Sequence, residues 1–207
     1  LKREDPRDIL LSKKNYTFNN LPQNTVIGTS SIRRKKQIIN LRADINVKYT
    51  RGNIETRIKK LKKGKYDAII LALAGLKRLG LSYKNKNILN STNFIPAGGQ
   101  GAIAITIKKK NSIINSLIKK INNDKTEIEI KTERKFLERI NADCDSPVGA
   151  HAKIINKFIY FSVAVPNKTG DGMFVYKSRE KFNKPEVLGI KVANILKKKL
   201  GQNFLKK

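Results

Sequence analysis

The sequence has one cysteine, one histidine, one methionine and no tryptophan in 207 residues. A single cysteine excludes an intrachain disulfide, and with it a disulfide-stapled secreted fold. One cysteine and one histidine cannot build a zinc site unaided. Long apolar runs are also missing. A membrane span needs about 18 consecutive apolar residues, whereas Ile69–Ala74 has the length of a buried strand. Leu1–Asp8 is charged and has no apolar core, so these residues do not read as a signal peptide. The chain starts at Leu rather than Met, as a processed or partial chain would.

Acidic residues are scarce, with 16 Asp and Glu against 45 Lys and Arg, for a net charge of +29. Such an imbalance points to an anionic partner, whether nucleic acid, an acidic membrane surface or a small anion. A drift of surface composition gives the same number. Of the 45 cations, 34 are Lys, in a chain also rich in Asn and Ile. The clusters at Lys59–Lys65, Lys108–Lys110 and Lys197–Lys199 lack interleaved aromatics and any nucleic-acid motif, and read as solvated faces and loops.

Residues 25–100 alternate strand and helix. Thr25–Ile27 reads as a strand, Gly28–Ser31 as a turn with hydroxyl caps, and Ile32–Leu41 as a helix. Asn46–Thr50 is strand-like. Asn53 caps a helix carrying Ile54, Ile58 and Leu61 at helical spacing and ending at Gly64. Tyr66–Leu73 has the near-continuous apolar character of a strand covered on both faces. Ala74–Leu79 reads as a short helix. The pattern predicts an α/β region with a parallel sheet. Ala102–Ile107 alternates like a further strand, and Ser112–Ile121 reads as a helix. Beyond a boundary near Asn122–Asp124, the order is a helix over 126–140, a loop, strands at 149–155, 158–165 and 172–178, and a helix over 185–200. This second region is α+β with an antiparallel sheet.

Four arginines stand out at loop and helix-start positions in a chain far richer in Lys than in Arg. Arg33 and Arg34 fall in the first turn of a helix, where backbone N–H groups already favour anions, and Arg suits bidentate carboxylate recognition. Arg51 follows a strand end, and Arg57 lies early in the next helix. Ligand crevices of open α/β sheets lie beyond strand carboxyl ends, so the four either converge on one crevice or are scattered surface charge. Gly98–Gly101 does not continue as a dinucleotide fingerprint. It reads as a hinge or a close approach to a ligand. Cys144 sits in a loop between Asp143 and Asp145, whose charges disfavour a standing thiolate. An attachment point suits it better than a turnover nucleophile. His151 reads as structural.

These segments, taken together, resemble the porphobilinogen deaminase (hydroxymethylbilane synthase) family. The matching stretches are Arg3–Asp8, Gly28-Thr-Ser-Ser-Ile-Arg-Arg34, Arg51-Gly-Asn-Ile-Glu-Thr-Arg57, Tyr66–Gly80, Gln100-Gly-Ala102 and Cys144-Asp-Ser-Pro-Val-Gly149. The resemblance implies a lobe like those of periplasmic binding proteins over 1–97, a crossing segment over 98–121 and a small α+β cofactor-attachment domain over 124–207. It implies a dipyrromethane cofactor on Cys144 through a thioether. Ser31, Arg33, Arg34 and Arg57 would bind the cofactor, and Arg51, Arg57, Arg78 and Gln100 the substrate. The implied activity is head-to-tail condensation of four porphobilinogen molecules into hydroxymethylbilane with release of ammonia, in tetrapyrrole and haem biosynthesis. The partners would be porphobilinogen and linear pyrrole intermediates, with no nucleic acid, membrane or metal, for a cytoplasmic monomer. A non-catalytic carboxylate-binding module of the same lobe type is the alternative.

Two departures from the family pattern follow. The Arg3–Asp8 motif normally lies about a hundred residues into the protein, so most of one lobe-sized domain is expected to precede it. The catalytic carboxylate is expected there, which leaves this chain inactive alone. Ala142-Asp143 replaces the small glycine-rich residues usual before the cysteine.

Overall fold

A computed structural model of the chain describes residues 1–108, 112–181 and 185–205. Two sheets organise it. The first has five strands in the order β3-β2-β4-β1-β5, formed by β1 (Asp8–Ser12), β2 (Val26–Gly28), β3 (Asn46–Lys48), β4 (Ala68–Ala72) and β5 (Lys86–Ile88). Helices α1 (Ile32–Leu41), α2 (Ile54–Lys62) and α3 (Leu73–Arg78) connect them. Strand β2 runs parallel to β3 and β4, as the β-α-β pattern requires. The sheet is nevertheless mixed. Strand β1 enters between β4 and β5, antiparallel to both. An entirely parallel sheet is therefore corrected to one with a parallel core and an antiparallel side.

Strand alternation assigns the apolar side chains to two cores, one per face. Leu10, Ile27 and Ile70 pack with Ile38 of α1 and with Phe18 and Phe94. Ile9, Leu11, Ile69 and Leu71 pack on the other face with Leu61 of α2 and Leu76 of α3. Each such buried aliphatic side chain contributes roughly 1.5–3 kcal/mol.

The second sheet is an antiparallel meander of β6 (Gly149–Ile155), β7 (Phe158–Pro166) and β8 (Met173–Lys181). Helices α5 (Asp124–Arg139) and α6 (Pro185–Leu200) cover one face. Phe136 and Phe161 meet edge to face at 5.5 Å in this core. The helices approach closely because position 189 is glycine, where a Cβ would overlap the Thr132 carbonyl.

Between the two units, α4 (Ser112–Ile121) precedes the Asn123 cap of α5. The strand expected over 102–107 does not form. Its residues join neither sheet, and Ile103 and Ile105 are exposed. Alternation specifies a strand only where a neighbouring strand supplies the ladder hydrogen bonds. The expected 108–110 cluster lies partly outside the described residues.

Candidate functional site

The site is built where β1 meets the first turn of α1. Ser31 caps α1, its Oγ accepting from the Arg34 amide at 3.3 Å. This cap fixes the first turn so that Arg33 and Arg34 point inward, and both are buried. Their counterion is Asp8, at the start of β1 and fully buried. Arg33 Nη2 lies 2.9 Å from Asp8 Oδ2, and Arg34 Nη2 2.8 Å from Oδ1. Gln100 Nε2 donates to the same Oδ1 at 3.0 Å and also bonds the Pro6 carbonyl. Burial alone would raise the Asp8 carboxyl, but the charges of Arg33 and Arg34 and the Gln100 hydrogen bond hold it below the usual carboxylate range.

The arginines are held from the other side by backbone. Arg33 Nη1 donates to the Ile95 carbonyl at 2.7 Å, and Gln37 Nε2 donates to the same oxygen at 3.0 Å. The Ile95 amide returns a bond to Gln37 Oε1 at 2.7 Å. One carboxylate thus faces two guanidinium groups, leaving an excess positive charge behind the sheet edge.

Arg57 is half-buried, and its Nε donates to the Gly52 carbonyl at 2.7 Å. Burial and the nearby positive charge of Arg34 both push its pKa down. That repulsion places Arg57 in the electrostatic reach of the Asp8 cluster. Arg51 is exposed, 5.6 Å from the centre of the Tyr49 ring. Arg78 is exposed and donates through Nη2 to the Gly101 carbonyl at 2.7 Å, next to Gln100. Among the described residues no carboxylate pairs with Arg51, Arg57 or Arg78. Guanidinium groups without an acid partner among the described residues, two of them (Arg57 and Arg78) near the buried Asp8 cluster, suit a ligand bearing several carboxylates.

Cys144 is exposed, in the loop between α5 and β6. Asp143 organises that loop. Its Oδ1 accepts from Ser146 Oγ at 2.6 Å and from the Asp145 amide at 3.1 Å. The Ser146 hydrogen bond keeps the Asp143 carboxyl below its usual range. The carboxylate thus orders the turn before the cysteine through its hydrogen bonds. Cys144 makes no hydrogen bond or ion pair to the arginines among the described residues. Gly149, five positions after Cys144, leaves room for the Ile95 carbonyl that Arg33 also holds.

Sequence reasoning brought forward the arginines, Ser31, Gln100 and Cys144 but gave Asp8, Gln37 and Glu133 no role. Glu133, fully buried on α5, accepts from Arg3 Nη1 at 2.7 Å, from the Gly99 amide at 2.7 Å and from the Ala152 amide at 2.8 Å. An acid inside the Arg3–Asp8 stretch, set directly before Ile9-Leu-Leu11, was the available signal for Asp8. Glu133 and Gln37 had no such marker. His151 is half-buried, and burial followed by the charges of Arg3 and Lys153 lowers its pKa to about 4. It is not part of the arginine cluster.

Residues 1–116 match the family profile described as "Porphobilinogen deaminase, dipyromethane cofactor binding domain", and residues 127–198 the one described as "Porphobilinogen deaminase, C-terminal domain". The first contains the arginines and Gln100, the second Cys144. The chain is similar to a protein named porphobilinogen deaminase from Nitrobacter hamburgensis, 37% identical over 206 residues, which is 99% of this chain and 65% of the relative. Its namesake from Clostridium kluyveri is 49% identical over 152 residues, 73% of this chain and 52% of that one. The Brevibacillus brevis protein of that name is 40% identical over 196 residues, covering 94% and 63%. The chain therefore spans at most 65% of the length of these three relatives. With both profiles matched in order, the first over more than half of the sequence, the chain belongs to the porphobilinogen deaminase family.

Proposed function

We propose that this chain forms the anion-binding lobe and the tether domain of a porphobilinogen deaminase (hydroxymethylbilane synthase). The activity is the stepwise head-to-tail condensation of four porphobilinogen molecules, with release of ammonia, into hydroxymethylbilane for tetrapyrrole and haem biosynthesis. The observation that carries this reading is the presence, in one chain of this family, of arginines with no acid partner among the described residues (Arg51, Arg57 and Arg78) and of one exposed thiol, Cys144.

In this reading residues 1–97 form a lobe of the periplasmic-binding-protein type, 98–121 cross to a further lobe, and 124–207 form the attachment domain. A dipyrromethane, when bound, supplies the pyrrole end to which substrate is joined. The residues present fit that group: Cys144 Sγ would hold it as a thioether, and the guanidinium groups would be partners for pyrrole carboxylates. Arg57, Arg51 and Arg78 hold carboxylates of cofactor and substrate. Arg33 and Arg34 act from behind, fixed by Asp8, and Ser31 keeps them there by capping α1. Gln100 locks the 98–101 turn onto Asp8. A covalent tether keeps the lengthening chain beside these groups between additions.

Proton handling needs a carboxylate that can reach the reacting atoms. Asp8 is committed to Arg33, Arg34 and Gln100 and is sealed from solvent. Following the family resemblance, we place the catalytic carboxylate outside this chain and expect the 207 residues alone to be inactive. The reading further takes the protein as a cytoplasmic monomer with no nucleic-acid partner. No helix among the described residues is long and apolar enough to cross a membrane.

The test is the mass of the Cys144 peptide from the catalytically active protein. The expected result is an adduct of two linked pyrroles, abolished together with turnover by Cys144→Ser. An unmodified Cys144 in active protein would overturn the tether. Reversible carboxylate binding without turnover by the whole protein would make it a non-catalytic module.

A further inference from the structure

The molecule has a large cleft that Arg33, Arg34, Arg51, Arg57 and Arg78 do not line. Its volume is about 970 Å³, at the upper end of the range for small-molecule sites. One wall is the face of the second sheet that α5 and α6 leave uncovered. There His151, Ser162 and Lys177 form one cross-strand row, and Lys153 and Tyr160 begin the next. The opposite wall is the 88–92 loop of the first unit and the Lys2–Arg7 segment, and the start of α5 closes the end.

The cleft is electrostatically unbalanced. Six cationic side chains line it against three acidic ones. The acids are all engaged. Asp5 holds Arg7 at 2.6 Å, Glu4 holds Lys77 at 2.8 Å, and Glu129 accepts from the Ile154 amide at 2.9 Å. Lys2, Lys125, Lys153 and Lys177 have no ion pair to any described residue. Lys153 and Lys177 rise from one wall, and Lys2 and Lys125 from the others. Hydroxyls of Tyr160, Ser162 and Ser91 lie between them. Cations on facing walls of a concave site raise the local potential for an anion more than the same charges on a flat surface.

We infer that this cleft binds a small polyanion, a molecule presenting two or more carboxylate or phosphate groups to Lys153 and Lys177 on one side and Lys2 and Lys125 on the other. The cleft is separate from the tether. It opens at the start of α5, whereas Cys144 follows that helix's end, roughly 24 Å away along a 16-residue helix. None of Arg51, Arg57, Arg78 or Cys144 lines it.

Calorimetric titration of the 207-residue chain with citrate and, separately, with inorganic pyrophosphate tests this. Acetate serves as the single-charge control. With Arg51→Gln/Arg57→Gln as the background, so that the proposed pyrrole-carboxylate partners are absent, saturable binding of either polyanion is expected, weakened at least about tenfold by Lys153→Gln/Lys177→Gln and unchanged by Lys62→Gln/Lys63→Gln, two exposed lysines outside the cleft. Binding of citrate alone identifies a carboxylate ligand, and of pyrophosphate alone a phosphate ligand. Both variants change solvent-facing side chains, and circular dichroism confirms that they fold. Absence of saturable binding overturns the inference. So does binding that survives Lys153→Gln/Lys177→Gln, or acetate binding as tight as that of the polyanions.

Discussion

Arg3 and Glu133 form a bidentate ion pair across 130 positions of sequence, Nη1 to Oε1 at 2.7 Å and Nη2 to Oε2 at 3.1 Å. Both side chains are almost sealed from solvent. The same carboxylate accepts the Gly99 and Ala152 amides. One acid therefore joins the start of the first unit, the turn at 98–101 and the second sheet. Burial pushes the Glu133 carboxyl up, and the Arg3 charge and the amides oppose that.

Removing one partner of a buried pair leaves the other uncompensated, which costs about 3–5 kcal/mol. Glu133→Ala should lower the stability of the chain by that order, read as the midpoint of urea unfolding. Glu133→Gln keeps the shape and one acceptor, and should lose less. Equal midpoints for Glu133→Ala and the parent chain would show that the pair is dispensable.

Asp8 predicts an acid limb. Its native pKa lies below the unfolded value of about 3.9. Below that value the unfolded chain binds the proton more readily, so the stabilisation is fully present above about pH 4 and is lost as pH falls through the native pKa. The urea midpoint of the parent chain should fall over this range. Asp8→Asn should start lower, because Arg33 and Arg34 lose their counterion, and should lack this share of the slope.

His151 predicts a second, higher window. The native pKa of about 4 lies below the ordinary histidine value of about 6.5. Stability from the neutral imidazole is complete above about pH 6.5 and declines as pH falls towards 4, by on the order of 2–3 kcal/mol after allowance for partial exposure. Since this is the only histidine, its proton resonances can be followed by NMR without assignment. A midpoint near 6.5 would contradict the packing described. His151→Gln should flatten the stability profile between pH 6.5 and 4.

The exposed thiol predicts reactivity. In chain free of cofactor, Cys144 should alkylate with iodoacetamide at nearly the rate of the denatured chain, with one equivalent per molecule. Asp143→Ala removes the carboxylate that orders the turn and should leave stability close to that of the parent. A native rate slower by about a hundredfold would mean that the loop shields the sulfur.

The sequence made much of this architecture visible, for reasons specific to each element. Helix α2 could be read because Asn53, the Ile54-Ile58-Leu61 spacing and Gly64 are local signals. The second unit could be read because its three strands are long and alternate. Strand β1 could not. Its apolar stretch is only Ile9–Leu11, and its place in the sheet depends on residues far along the chain. Residues 102–107 illustrate the converse, a correct alternation with nothing beside it to pair. The arginines were visible as anion-binding candidates, but spacing could not show that Arg33 and Arg34 already share Asp8, 26 positions from Arg34. Charge balance inside a fold is a tertiary property.

The placement of β1 has a consequence for how quickly this molecule can be made. Ile9 pairs with Leu71 and with Ile88, about sixty and eighty positions further on. The strand therefore stays unpaired during synthesis until most of the first unit has emerged, exposing Ile9, Leu10 and Leu11. Closing loops of that size before any reward is collected is slow relative to helix formation. Closing β1 is the slow step and α2, formed from neighbours in sequence, precedes it, so substitutions that weaken either element should chiefly slow refolding of the first unit.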